Sequence, residues 1–453
     1  MRLWWTLVAL LAALSIPASR AVAALPPIHH VYVIVLENES EKTTFGPNSA
    51  APYLAKTLRS EGSFLPNYYG TGHNSNDNYI AMISGQAPNL ANQFDCLQFG
   101  DFPAPALGAY GQELGESCVY PANVATLPGQ LDGAGLEWRD YNEDMGADPA
   151  RETGVCAHPE ISFPDGTQSQ EAADAYATRH NPFVYFHSII DDTTLCNTQV
   201  VNLGLLAQDL ASHDTPNYVF ITPNLCNDGH DSKCKNGGPG GLTAINGFLT
   251  KWVPQITGSW AFRNDGGLLI VTFDEASVSD ARACCGEIPG PGSPLPGLTG
   301  PGGGQIGAVL LSPYIAPGTD SQTPYNHYTM LRSVEDLFRL PHIGYAQLPK
   351  ETSFGSDIFA CAPLIAPIAV GGRLPAGSEI TQVRTHGRRL TLYSVGNSSM
   401  RLVIAPRGRR RYAIRRALAP CSGYTFALPR TGHGLATVTA YAGGGSQSAT
   451  VRF

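Results

Sequence analysis

Four stretches of near-continuous apolar residues mark the first two thirds of the chain, at residues 31–36, 218–221, 268–271 and 306–311. A half-buried strand would alternate apolar with polar positions. Uninterrupted runs of this length instead fit strands covered on both faces of a parallel sheet. Polar pairs follow each run at once: Glu37-Asn38, Pro223-Asn224, Asp274-Glu275 and Ser312-Pro313. In open α/β sheets ligands collect at the carboxyl ends of the strands, so these exits are where chemistry is expected. Helical patterns at residues 52–61, 75–84 and 328–338 alternate with the runs. The expected architecture is α/β, a doubly wound, mostly parallel sheet between helices. Gly- and Pro-rich segments at 237–241 and 286–304 read as loops around the site.

Beyond Pro367 the rhythm changes to short alternating stretches at 390–395, 402–405, 412–414 and 436–441, separated by Gly, Asn and Pro. That pattern predicts a small β-sandwich-like module. At the other end, Met1-Arg2, an apolar run and Ala21-Val-Ala-Ala24 form a secretory signal pattern. The expected division is therefore a signal peptide at 1–24, a catalytic domain at 25–370 and a C-terminal module at 373–453. Secretion follows as an expectation, and no run long enough to span a bilayer occurs after the leader.

Charge sharpens this division. The whole chain carries −8, the leader +2, and residues 373–453 hold thirteen Arg against the single acid Glu379, which leaves −22 on residues 25–372. An acidic body is a poor partner for nucleic acid, whereas the basic module suits contact with an anionic surface. All ten cysteines follow the leader, as befits an oxidising compartment. Cys96/Cys118, Cys156/Cys196 and Cys226/Cys234 are the expected bridges. Cys284-Cys285 has no partner that the sequence assigns, and Cys361 and Cys421 either join each other or pair with that doublet.

The segment Gly72-His-Asn-Ser-Asn-Asp-Asn-Tyr79 leads into an apolar helical run, which places Ser75 at a helix N-cap. Unsatisfied amide groups and the positive end of the helix dipole attract a phosphoryl group there. Six phrases in order extend this reading: Val33-Ile-Val-Leu-Glu-Asn38, His73-Asn-Ser-Asn-Asp-Asn-Tyr-Ile80, His180-Asn-Pro-Phe183, Pro223-Asn-Leu-Cys-Asn-Asp-Gly-His-Asp231, Leu269-Ile-Val-Thr-Phe-Asp-Glu275 and Tyr325-Asn-His-Tyr328. Together they resemble the bacterial phosphoesterase family of the alkaline-phosphatase-like superfamily, which includes secreted acid phosphatases and phospholipases C.

The resemblance implies a catalytic Ser75 that attacks phosphorus and forms a phosphoserine, with Asn78 donating to a phosphoryl oxygen and His230 as general acid. His180, His327 and His73 are implied as phosphate contacts. A divalent cation would be held by Glu37, Asn38, Ser75, Asp274 and Glu275, hard oxygen ligands that suit Ca²⁺, Mg²⁺ or Mn²⁺ as well as Zn²⁺. Asp228, His230, Asp231 and His327 are a candidate second metal set, although Asp228 and His230 lie closer in sequence than two-metal members require.

The implied activity is hydrolysis of small phosphate monoesters, as in an acid phosphatase. Phospholipase C activity on phospholipid is the alternative within the same chemistry, and the sequence displays no exposed apolar loop rich in Trp or Phe to favour it. A non-catalytic phosphate or wall-polymer binder is the alternative of another class. Retention of Ser75 beside two acidic pairs argues against that reading.

Overall fold

The computed structural model describes residues 25–212, 215–359 and, with short interruptions, 380–452. The signal pattern, Cys361 and Cys421 lie outside the described residues. The main sheet has eight strands: β1 (His30–Leu36), β2 (Ser63–Leu65), β3 (Trp138–Asn142), β4 (Val200–Asn202), β5 (Tyr218–Thr222), β6 (Gly267–Phe273), β7 (Ala308–Leu311) and β8 (Thr319–Asp320). Their order across the sheet is β8-β2-β7-β6-β1-β5-β3-β4. The five strands from β6 to β4 run parallel. Every residue of β1, β5 and β6 is buried, as strands with a helix layer on each face require.

One strand departs from the sequence expectation, because β7 runs antiparallel to both β6 and β2. Burial on both faces makes a run continuously apolar whatever its direction, so hydrophobicity alone does not reveal polarity of the strand. The chain leaves β6 at its carboxyl end, loops through residues 274–307 and re-enters the sheet with no crossover helix. A return without a crossover has to run the other way.

Helix α1 (Ser75–Ser84) is buried along its whole length and ends at Gly85, whose φ of 65° supplies the left-handed stop. A Cβ at Gly85 would meet Ile343 O at 2.8 Å, so the position is closed to side chains on two counts. Helix α2 (Gly241–Gly258) buries Ile245, Leu249, Val253 and Ile256 against the sheet layer. Helix α3 (His327–Phe338) starts from a capping box between Asn326 and Thr329. The helix expected at 52–61 is present as a π-helical turn at Tyr53–Leu58 continued by Arg59–Glu61.

Three disulfides join the expected pairs, Cys96–Cys118, Cys156–Cys196 and Cys226–Cys234. Cys284 and Cys285 bond to each other, which removes the doublet as a partner for Cys361 or Cys421. No helix among the described residues is long and apolar enough to cross a membrane.

The C-terminal strands are β9 (Ile380–His386), β10 (Arg389–Ser394), β11 (Ser398–Pro406), β12 (Tyr412–Leu418), β13 (Ser422–Ala427), β14 (Gly434–Ala442) and β15 (Gly445–Arg452). They form two antiparallel sheets, β9-β10-β13 and β12-β11-β14-β15. Leu390, Leu392 and Phe426 from one sheet share an apolar cluster with Met400, Leu402, Ile404, Val438 and Val451 from the other. This is the alternating, two-layer pattern that the sequence predicts for a small sandwich.

Candidate active site

Because β1 and β6 are parallel neighbours, the residues that follow them emerge side by side. Glu37 and Asp274 both lie there, fully buried. The backbone N–H of Asn38 donates to Asp274 Oδ1 at 3.0 Å, and Asn38 Nδ2 donates to Glu37 Oε2 at 3.1 Å. Asn38 therefore bridges the two carboxylates, with its backbone in the left-handed region at φ 58°.

Ser75 meets them from the start of α1. The N-cap is Asn74 rather than Ser75, which is the first helical residue. Its hydroxyl is thus spared from capping and donates to Glu37 Oε2 at 2.9 Å. One turn further along, Tyr79 donates to Glu37 Oε1 at 2.7 Å. The loop before the helix is fixed by its neighbours: Asn74 Nδ2 donates to Gln93 O at 2.6 Å and Asn76 N to Asp95 Oδ1 at 3.0 Å.

The exit of β5 supplies the third acid. Glu143 Oε2 accepts from Asn224 N and Asn227 Nδ2, and Asp144 Oδ2 accepts from Asn224 Nδ2, which pins the loop that carries Asp228. His180 stands between the acids, with Nε2 3.3 Å from Glu37 Oε1 and Nδ1 3.2 Å from Asp228 Oδ2. Its ring stacks on Tyr79 at 5.1 Å, with the planes 5° apart.

The electrostatics of this pocket are unfavourable as they stand. Burial first, then the neighbouring carboxylates Asp274 and Asp228, hold Glu37 well above the usual carboxylate range. Burial also raises Asp228 well above that range, and Asp274 to about 7. His180 is pushed well down by burial, then by Arg179 and His230. Asp274 Oδ2, Asp228 Oδ2 and both His180 nitrogens are buried without a hydrogen-bond partner.

Ligand atoms from Glu37, His180 and Asp228 lie within 4.8 Å of one another. Converging carboxylates that repel one another, orphaned oxygens and a neutral imidazole form a donor set that fits a divalent cation. This set differs from the one expected from sequence. Glu37, Ser75 and Asp274 converge as anticipated, and His180 and Asp228 join them, whereas Glu275 does not. Glu275 Oε2 is paired with His73 Nδ1, and His73 Nε2 lies 3.1 Å from Asp280 O. The His73–Glu275 pair thus fastens the loop after β6 to the loop before Ser75. With the Asp280 contact, it engages both His73 nitrogens and one of the two Glu275 oxygens.

The other expected contacts are also placed differently. Asn78 Oδ1 accepts from Thr71 N, Thr71 Oγ1 and Gly72 N, while its Nδ2 donates to Gly72 O, Asn74 O and Asp77 Oδ1. With both amide hydrogens committed, it staples the loop instead of facing substrate. His327 Nε2 lies 2.6 Å from the backbone oxygen of Asp274, and burial pushes its pKa down to about 4. As a neutral donor it holds the Asp274 backbone, and its Nδ1 lies 3.4 Å from the Tyr68 hydroxyl. His230 Nδ1 is 3.0 Å from Asp231 Oδ1, and Nε2 is 3.1 Å from Arg179 Nη2. Arginine has only donors, so Nε2 here accepts and presents no proton to a leaving group.

Sequence reasoning passed over Tyr79 and Arg179. The signals were present: Tyr79 is four residues from Ser75 on the same helical face, and Arg179 precedes His180 directly. Several large apolar side chains are also exposed. Phe94, Leu97, Phe163 and Leu295 are 62%, 59%, 56% and 50% exposed. The loops that carry Phe94 and Leu295 are tied to the loop before Ser75, since Gln93 Nε2 donates to Leu295 O and Pro296 O, and His73 N to Pro296 O. The sequence does not group them, since residues 94–97, Phe163 and Leu295 lie far apart along the chain.

Known proteins place this geometry in context. The chain is 27% identical over 304 residues to a phosphate-repressible acid phosphatase of Penicillium chrysogenum, covering 67% of this chain and 58% of that one. It is 25% identical over 300 residues to an acid phosphatase of Aspergillus fumigatus, covering 66% and 53%. A phosphatidylinositol-3-phosphatase of Mycobacterium tuberculosis is 26% identical over 329 residues, covering 72% and 82%. The matched region thus spans little more than half the length of the fungal relatives. Among solved structures, an alkaline phosphatase superfamily protein from Vibrio parahaemolyticus aligns with a TM-score of 0.41 at 12% identity, covering 88% of this chain and 83% of that one. A sequence model described as Phosphoesterase family matches residues 47–341, and the chain belongs to that family.

Proposed function

We propose that this protein is a phosphoesterase that hydrolyses phosphate monoesters by attack of Ser75 Oγ on phosphorus. The observation that carries the reading is the buried Ser75–Glu37 hydrogen bond, set among three carboxylates and His180. Relatives named acid phosphatase support the monoester class.

In this account Glu37 Oε2 takes the Ser75 proton as the O–P bond forms and the bond from phosphorus to the leaving oxygen breaks. The product of that step is a phosphoserine, and water then attacks it to release phosphate. Glu37, His180, Asp228 and Asp274 would hold a divalent cation, which when bound neutralises the pocket and polarises the phosphoryl oxygens. Tyr79 and the Asn38 bridge orient Glu37, and His327 orients Asp274. Once phosphoryl oxygens take up the Arg179 donors, His230 Nε2 is free to take a proton from solvent and pass it to the leaving oxygen. Residues 25–370 form the catalytic domain, 373–453 a separate module, and the leader directs export.

Exposed apolar side chains on neighbouring loops favour a second reading, in which the phosphate ester is carried by an amphiphile such as a phospholipid. Phe94 and Leu295, exposed on loops bonded to the loop before Ser75, are apolar surface that a small soluble ester does not need. The relative named phosphatidylinositol-3-phosphatase is compatible with it. Phospholipase C action is a further version, with a diester as substrate. Assays of purified protein against a soluble monoester, a diester, phosphatidylinositol 3-phosphate and phosphatidylcholine, each with and without chelator, separate these readings. Chelator-sensitive turnover of the monoester is expected. Turnover of diesters alone contradicts the proposal.

A further inference from the structure

We propose that the outer face of the four-stranded C-terminal sheet is a binding site for an acidic polysaccharide, separate from the hydrolytic site. The register fixes which side chains share that face. Met400, Leu402 and Ile404 of β11, Ala436 and Val438 of β14 and Val451 of β15 are buried, so their alternate neighbours lie on the opposite side.

Across one row of that side stand Arg415, Arg401, Thr439 and Ser448, each paired with the next. The adjacent row is Ala413, Val403, Thr437 and Thr450. Arg401, Arg415 and Arg452 are exposed. The Thr439 and Ser448 hydroxyls are 2.8 Å apart and those of Thr437 and Thr450 2.9 Å, both exposed.

Two features point to a ligand rather than to stability. Arg401 and Arg415 lie directly opposite one another, an arrangement of like charges that weakens a ladder. No acid occurs anywhere in residues 380–452 to offset them. A carboxylate or sulfate between the two guanidinium groups would turn that repulsion into a shared ion pair. The hydroxyl rows beside them supply donors and acceptors at the spacing of neighbouring strands, which suits sugar hydroxyls. A lipid surface fits less well. In these rows and the next, Leu435, at 46% exposure, is the large apolar side chain that stands out among the described residues.

The test uses the full-length protein with dextran sulfate, polygalacturonate and neutral dextran, alongside phosphatidylglycerol vesicles and duplex DNA. Binding to dextran sulfate or polygalacturonate is expected, weakening as salt rises, with none to neutral dextran. The two acidic polymers distinguish a sulfate from a carboxylate site. The R401Q/R415Q variant should bind about tenfold more weakly, two exposed ion pairs being lost, and should hydrolyse a soluble monoester as wild type does. If circular dichroism shows that the double variant has lost strand structure, R401Q and R415Q singly should each cost about threefold. Wild-type affinity in the folded variants overturns the proposal. So does capture by vesicles or DNA as strong as by either acidic polymer, or binding to neither polymer.

Discussion

Tyr79 donates its hydroxyl hydrogen to Glu37 Oε1 at 2.7 Å, while Ser75, one helical turn earlier, donates to the other oxygen of the same carboxylate at 2.9 Å. The carboxylate that would receive the serine proton is therefore held at both oxygens by one helix. Tyr79 is further clamped by its stack on His180. Tyr79→Phe keeps the ring and the stack but removes the donor. Turnover should fall about tenfold to a hundredfold, the range for a lost hydrogen bond to a charged group. Steady-state kinetics with an unchanged melting profile checks this.

Ser75→Ala should lower turnover at least about a thousandfold. Because Ser75 lies inside the helix and is not its N-cap residue, stability should change by less than about 1 kcal/mol. Urea unfolding beside the activity assay reads both quantities, and wild-type turnover in this variant removes Ser75 from the mechanism.

The structure and the sequence reading differ over which side chains face a cation, and a pair of variants separates them. His180→Ala should reduce bound metal measured by mass spectrometry, whereas Glu275→Gln should leave it near wild type. Chelation should lower the melting temperature of the wild type, since a ligand at a hundredfold over its Kd stabilises by about 2.7 kcal/mol. Metal loss in Glu275→Gln with none in His180→Ala would favour the set read from sequence.

A buried acid toward the end of α3 gives a pH prediction. Burial raises Glu335 from its ordinary value to about 9, and its Oε1 accepts from Ile343 N at 3.0 Å. The native state thus holds a proton that the unfolded chain releases at lower pH. The stability this gives is complete below the unfolded pKa and is lost as pH rises from about 4.5 toward about 9. Glu335→Gln should flatten that decline, by on the order of a few kcal/mol across the window. Melting temperatures of both proteins at intervals from acid to alkaline pH make the comparison.

Much of this was legible in the sequence. The runs at 31–36, 218–221 and 268–271 became β1, β5 and β6 because burial on both faces leaves no room for polar positions. Glu37, Ser75 and Asp274 were legible as exits of strands and the start of a helix. The direction of β7 was not, since hydrophobicity carries no polarity. Nor were the commitments of Asn78, Glu275 and His73, whose partners are backbone or side-chain atoms brought close only by folded loops. His180 and Asp228 were legible as a phosphate contact and a member of a second metal set, but not as neighbours of Glu37, which only the fold makes them.

Deleting residues 373–453 should spare hydrolysis of a small soluble monoester, as all the groups assigned to the reaction precede Gly344. Activity of a truncated protein with native circular dichroism checks the independence of the module. Complete loss of activity in a well-folded truncation contradicts it.

The central claim is that Ser75 carries the phosphoryl group during turnover. Protein mixed rapidly with a soluble monoester, quenched in acid and digested can be read by peptide mass spectrometry. The account predicts a phosphoryl group on the peptide that contains Ser75, lost on longer incubation without substrate and missing from Ser75→Ala. A phosphoryl group on another residue, or turnover with Ser75 never modified at any quench time, would contradict it.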